Sequence, residues 1–106
     1  MKKCPVEYAL TLLTGKWKLQ IIWTIIQAKT IRFNELQRRL NGISSLMLSK
    51  NLQELERDKI VIRHQYNEVP PHVEYSLSEL GSALESALSE LGEWGASAYN
   101  SINEIN

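Results

Sequence analysis

Leu46, Ser49, Lys50, Gln53 and Arg57 recur at the spacing that sets them along one side of a helix. Together they offer a hydroxyl, an amide and two cations with no carboxylate among them, groups suited to base edges and phosphates. Leu48, Leu52 and Leu55 fall on the opposite side and require burial. A second reactive group is Cys4, preceded by Lys2 and Lys3 and followed by a helix start at Pro5. Both neighbourhoods favour a thiolate, which lowers the thiol pKa and raises reactivity; the bland alternative is a small apolar packing residue. As the single cysteine, Cys4 has no partner for a disulfide within the chain.

Other chemistry is excluded or weak. His64 and His72 have no metal-ligand spacing with one distant cysteine. There is no glycine-rich phosphate loop and no readable serine–histidine–carboxylate set. Catalytic residues, a metal and a cofactor are therefore not expected.

Two short helices must position the polar face. Phe33, Leu36 and Leu40 mark the first, Asn41-Gly42 ends it, and Ile43 is placed to plug the space between the helices. Ser44 or Ser45 can cap the second. The pair spans about 33–58 and reads as a helix-turn-helix. Before it, residues 6–13 read as a short helix with Val6, Ala9, Leu10 and Leu13 on one side. Residues 16–27 read as the central core helix, because Trp17, Leu19, Ile22, Trp23 and Ile26 cover most of its circumference. Lys16 and Lys18 oppose the dipole at its start, so a phosphate partner accounts for them better than stability does. Residues 28–31 form a connector with room for a very short strand.

After the second motif helix, Ile60, Ile62, His64 and Tyr66 alternate with Val61, Arg63 and Gln65, and Val73, Tyr75 and Leu77 alternate with Glu74 and Ser76. This period of two predicts a β-hairpin over about 61–77 with a wide tip at 67–72. A hairpin placed directly after a recognition helix is a wing, whose tip, with Pro70, Pro71 and His72, would approach the DNA backbone or minor groove. Ser78 would cap one last helix from Glu79 to about Asn103. Its stripe of Leu77, Gly81, Leu84, Leu88, Leu91, Gly95, Ala98, Ile102 and Ile105, widened by Leu80 and Trp94, keeps a coiled-coil spacing. So long an apolar stripe in so small a domain points to a homodimer, with the first helix contributing.

At 106 residues one domain is expected, short enough to gain from oligomerisation. No run approaches the roughly 18 uninterrupted apolar residues of a membrane span. With a single cysteine and no signal peptide at the start, cytoplasmic residence is the default. The net charge of zero hides a strong asymmetry. Residues 1–63 hold all twelve cations against five carboxylates, a balance of +7, and residues 64–106 hold seven carboxylates and no Lys or Arg, a balance of −7. The basic half contains the motif and would be the working surface.

The stretches CPVEYALTLLTGKWKLQII, RFNELQRRLNGISSLMLSKNLQELERDKIV and EVPPHVEYSLSELG, with LGEWG in the last helix, resemble the HxlR-type winged-helix regulators, relatives of the MarR family, across nearly the whole chain. The resemblance implies an α+β, mostly α fold: a winged helix-turn-helix with N- and C-terminal dimerisation helices. It implies a bacterial, dimeric regulator of double-stranded promoter or operator DNA. Position by position, it puts Ser44, Ser45, Leu46, Ser49, Lys50 and Gln53 in the major groove, Lys16 on a phosphate, Arg32 at the start of the motif and Pro70-Pro71-His72 in the wing. Gln53 can pair with adenine, and Lys50 can read guanine or hold a phosphate. Cys4 matches a cysteine that in some members senses thiol-reactive compounds, so a small electrophile, oxidant or thiol is a candidate partner. The overall expectation is a homodimeric repressor joined through Leu84, Leu88, Leu91, Trp94, Ala98 and Ile102. The rival readings are a regulator controlled by a small ligand at the dimer interface and a winged-helix protein–protein interaction module.

Overall fold

The computed structural model describes residues 4–104. Lys2, Lys3 and Ile105, expected beside Cys4 and in the C-terminal stripe, lie outside the described residues. Nine elements follow in order: α1 (Pro5–Leu13), α2 (Lys18–Ala28), β1 (Thr30–Arg32), α3 (Phe33–Arg39), α4 (Ser45–Arg57), β2 (Val61–Tyr66), β3 (His72–Leu77), α5 (Glu79–Ser82) and α6 (Glu85–Ile102).

The core sits where α2, α3 and α4 meet the sheet. Ile21, Ile22 and Ile25 of α2, Leu36 of α3, and Leu48, Leu52 and Leu55 of α4 are buried together with Ile60 and Tyr75. Ile43 is buried in the turn between α3 and α4, where an apolar plug is needed. Ser44 caps α4 by accepting the Met47 N–H at 3.1 Å. At the other end of α4 the Ile60 N–H bonds the Leu55 carbonyl and the Lys59 N–H bonds the Glu56 carbonyl. That pattern is a Schellman ending, and it holds Lys59 at φ +64 where glycine is usual. Ile60 thus belongs to the helix ending, and the strand opens at Val61, where the hairpin is expected.

The three strands are antiparallel in the order β1-β3-β2. Directly paired residues share a face. One face carries Ile31, Tyr75 and Val61 inward and continues through Arg63 and Gln65; the other carries Arg32, Glu74, His64, Tyr66 and His72.

The single helix expected over 79–103 is broken. α5 is one turn, capped by Ser78, whose hydroxyl accepts the Gly81 N–H at 3.0 Å and donates to the Lys59 carbonyl at 2.7 Å. Gly81 is pressed so closely on Ile60 that a Cβ there would clash with the Ile60 carbonyl oxygen. The chain tightens past this contact, the Leu84 N–H reaching back only to the Gly81 carbonyl, and α6 starts afresh at Glu85.

Candidate nucleic-acid interface

α4 divides as its sequence dictates. Leu48, Leu52 and Leu55 are buried, while Leu46 is 82% exposed beside exposed Ser45, Lys50 and Gln53. Ser49 is half-buried and accepts a bond from the Gln53 amide at 3.4 Å. Ser45 donates to the Gln37 side chain at 3.2 Å, tying the start of α4 to α3. The turn before α2 brings Lys16 alongside this helix: Lys16, Trp17, Met47 and Lys50 line one depression. The Lys16 ammonium sits 4.8 Å from the Trp17 ring centroid, a cation–π contact that holds it at the surface. Two cations distant in sequence thus flank the first turns of α4. Arg32 is exposed at the junction of β1 and α3.

Three residues behave differently from expectation. Lys18 is not available to a phosphate: it is buried, and its ammonium lies 2.7 Å from Glu54 of α4. The hydrogen bond and charge of Lys18 hold the Glu54 carboxyl below its ordinary range. Lys18 therefore locks α2 to α4. Arg57 is exposed but not unopposed, because Asp58 binds its guanidinium through two contacts at 3.1 and 3.2 Å. His72 is no tip residue. It pairs with Tyr66 at the base of the loop, stacks on that ring at 4.6 Å, and places Nε2 3.2 Å from Glu74 and Nδ1 3.5 Å from Glu68. The exposed tip consists of Asn67, Glu68, Val69, Pro70 and Pro71.

One part of the surface has no counterpart in the sequence reading. Ser49, Gln53 and Glu56 of α4 face Arg63 and Tyr75 of the sheet across an open cleft. The parity of β2 is the signal that finds it: Val61 is buried, so Arg63 and Gln65 project toward the same side.

The remaining predicted residues lie away from this face. Cys4 is exposed at the start of α1, where the backbone N–H groups of Glu7 and Val6 hold its thiol below the ordinary pKa. Leu84 and Leu88 are half-buried against the chain's own core, and Ala98 is half-buried. Leu91, Trp94 and Ile102 are open, with Trp94 at 69% exposure. α1 likewise leaves Val6, Tyr8 and Leu10 exposed. Among the described residues no helix is long and apolar enough to cross a membrane, and no cluster of metal-ligating side chains occurs.

A family model described as HxlR-like helix-turn-helix matches residues 12–103. The uncharacterized HTH-type transcriptional regulator YybR of Bacillus subtilis (strain 168) is 47% identical over 94 residues, 89% of this chain and 74% of YybR. The redox regulator HypR in its reduced form aligns with a TM-score of 0.88 at 41% identity, covering 96% of this chain and 100% of that one. Its oxidized form aligns at 0.82 and 46% identity, covering 89% and 96%. The reduced form of the transcriptional regulator YodB from B. subtilis aligns at 0.77 and 34% identity, covering 96% of each chain. With the exposed polar face of α4 and the hairpin beside it, these matches make the chain a member of the HxlR-like helix-turn-helix family, a DNA-binding transcriptional regulator of winged-helix fold.

Proposed function

We propose that the chain works as a homodimeric repressor, each copy laying α4 in the major groove of one operator half-site. The observation that carries this reading is the exposed outer face of α4, with Leu46, Lys50 and Gln53 open to solvent and Lys16 beside them. Ser45, Leu46, Ser49, Lys50 and Gln53 reach base edges; Lys16, Arg32 and the outward side of Arg57 meet backbone. Ser44 orients the helix through its cap and keeps its hydroxyl proton free to donate. The wing follows the flanking backbone. Dimerisation through α1 and the open part of α6 places two recognition helices about 10 base pairs apart or a multiple of that.

Fluorescence anisotropy on DNA from the chain's own upstream region tests this. Replacing Lys50 and Gln53 together by alanine should weaken specific binding by about tenfold or more. Unchanged affinity would favour an interaction module instead. Sedimentation equilibrium that finds only monomer at micromolar concentration would remove the dimer.

Cys4 is the proposed switch. It is exposed, its thiol is acidified by a helix start, and two of the structural relatives are described as a redox regulator and a diamide-treated regulator. Without a second cysteine, the outcomes open to it are a disulfide to Cys4 of the other subunit, a mixed disulfide with a small thiol, or alkylation. DNA binding should fall on diamide treatment and return with reductant, and Cys4→Ser should abolish the response. A response that ignores thiol reagents would favour the second reading: a small ligand in the apolar groove that Leu19 and Trp23 of α2 form with Leu88, Leu91 and Ala96 of α6.

A further inference from the structure

The wing of a DNA-binding winged helix has to meet a polyanion, yet this hairpin has no cation at its tip. From Tyr66 to Pro71 the only charged side chain is Glu68, 62% exposed. His72 is turned away from solvent, 16% exposed, with one ring nitrogen facing Glu74 and the other Glu68. Any positive charge on that ring is met by two carboxylates of the wing itself. A phosphate placed at the tip would meet net negative charge and two prolines that have no N–H to donate.

The shaft is different. Arg63 stands directly opposite Tyr75 in the β2–β3 register, so its side chain projects from the sheet face that carries the core. β2 is an edge strand, and along it this face is buried only at Val61. Beyond Val61 the face opens into the cleft shared with Ser49 and Gln53. Arg63 is exposed there and has no carboxylate partner among the described residues. Its guanidinium is steadied by the Gln65 side-chain oxygen at 3.4 Å, two residues along the same face. Arg38, Arg39 and Arg57, by contrast, are each held by a neighbouring carboxylate. Glu56 lies on the α4 side of the cleft without pairing to Arg63, so it repels a phosphate from that wall and favours the other.

We propose that the wing binds DNA through its shaft and not its tip: Arg63, steadied by Gln65, takes a backbone phosphate in the cleft beside α4, and the Glu68–Pro71 tip stays off the backbone. The assignment rests on the DNA-binding reading of α4 and adds to it a phosphate contact that sets where one strand runs between helix and wing.

The salt dependence of binding counts such contacts. Full-length protein is titrated into a fluorescein-labelled random-sequence duplex and into the upstream duplex at several salt concentrations. Arg63→Gln should weaken binding to both duplexes alike and reduce the slope of log K against log salt by about 1. Equivalently, the wild type's advantage over the variant should shrink about 3.5-fold between about 50 and 200 mM salt. Arg63→Lys should keep the slope, and Glu56→Gln should tighten binding. Replacing Pro70, Pro71 and His72 by alanine should leave the slope unchanged. Thermal melting of each variant identifies loss through misfolding, which is least expected at the exposed Arg63. An unchanged slope in Arg63→Gln, or a slope reduced only by the tip variant, overturns the proposal while α4 binding stands. Wild type that fails to bind, or a neutral Lys50–Gln53 double variant, brings down the DNA-binding reading of α4 instead.

Discussion

α4 and α6 are both amphipathic helices with leucines at regular spacing, and the molecule treats them oppositely. In α4 every leucine of the apolar side is buried under α2 and the sheet; in α6 no residue is buried, and Leu91, Trp94, Tyr99 and Ile102 are open. α1 is like α6, with no buried residue of its own. Periodicity thus reports which side of a helix needs a cover and is silent on where the cover comes from. For α4 it is the same chain. For α1 and α6 the proposed dimer would supply it from a second copy.

The largest effects should separate these cases. Leu52→Ala removes a side chain that is 1% exposed and should cost about 2–5 kcal/mol. That loss, read by denaturant unfolding, should not depend on protein concentration once the dimer contribution is removed. Trp94→Ala should be nearly silent in the isolated chain, within about 0.5 kcal/mol, as for other surface changes. It should nevertheless lower the melting temperature most at high protein concentration, and the gap to the wild type should close on dilution as both approach the monomer. If Trp94→Ala destabilised the chain equally at every concentration, α6 would be covered from within and the contrast would fail.

The glycines give a smaller version of the same test. Gly81→Ala drives a methyl into the Ile60 carbonyl and should cost about 1–3 kcal/mol. Gly95 meets nothing within 4 Å, so alanine there should stabilise the isolated helix by up to about 1 kcal/mol. A dimer weakened by Gly95→Ala would mean that the partner's backbone comes close at that point, which sharpens the assignment of α6.

Local signals were the legible part of the fold. Ser44 and Ser78 cap the helices they precede, Ile43 plugs the motif turn, and the two sides of α4 fall where 100° per residue puts them, because each follows from neighbours a few residues away. What escaped depends on contacts between elements. Lys18 looked like a cation misplaced at a helix start until Glu54 of α4 came beside it. His72 looked like a tip residue, but the register closes at Tyr66 and His72 and leaves the ring stacked inside the hairpin. The alternation over 60–66 gave two sets of residues, and only the burial of Val61 decides which set faces α4. The break before α6 follows the Gly81–Ile60 contact, a tertiary approach that helical periodicity cannot register.

Acid titration addresses the covered region through one polar link. Lys18 holds the Glu54 carboxyl below its ordinary value. A depressed carboxyl stabilises the fold above the unfolded glutamate pKa of about 4.3 and loses that contribution as pH falls through the folded value. Stability of the wild type should therefore fall on acidification below about pH 4.3, and Glu54→Gln should flatten that part of the profile. An acid profile left unchanged by Glu54→Gln would place the acid sensitivity in general charge, not in the α2–α4 lock.

The smallest effect is expected where neither cover nor charge is at issue. Lys59 is exposed at the end of α4, yet it holds φ +64, a region that costs a residue with a Cβ about 1–2 kcal/mol. Glycine would relieve that strain and keep both Schellman bonds, while enlarging the entropy of the unfolded chain. The two terms oppose each other, leaving a net gain of about 0.5 kcal/mol in Lys59→Gly, measurable by urea unfolding. Lys59→Ala should lose the charge without the gain, because alanine keeps the Cβ. If alanine stabilised as much as glycine, the benefit would come from removing a cation near the end of α4, and the backbone would not be the cause. Since Lys59 lies on the basic half, the same pair of variants in the DNA titration separates its backbone role from any phosphate contact: only a charge effect would lower binding equally in both.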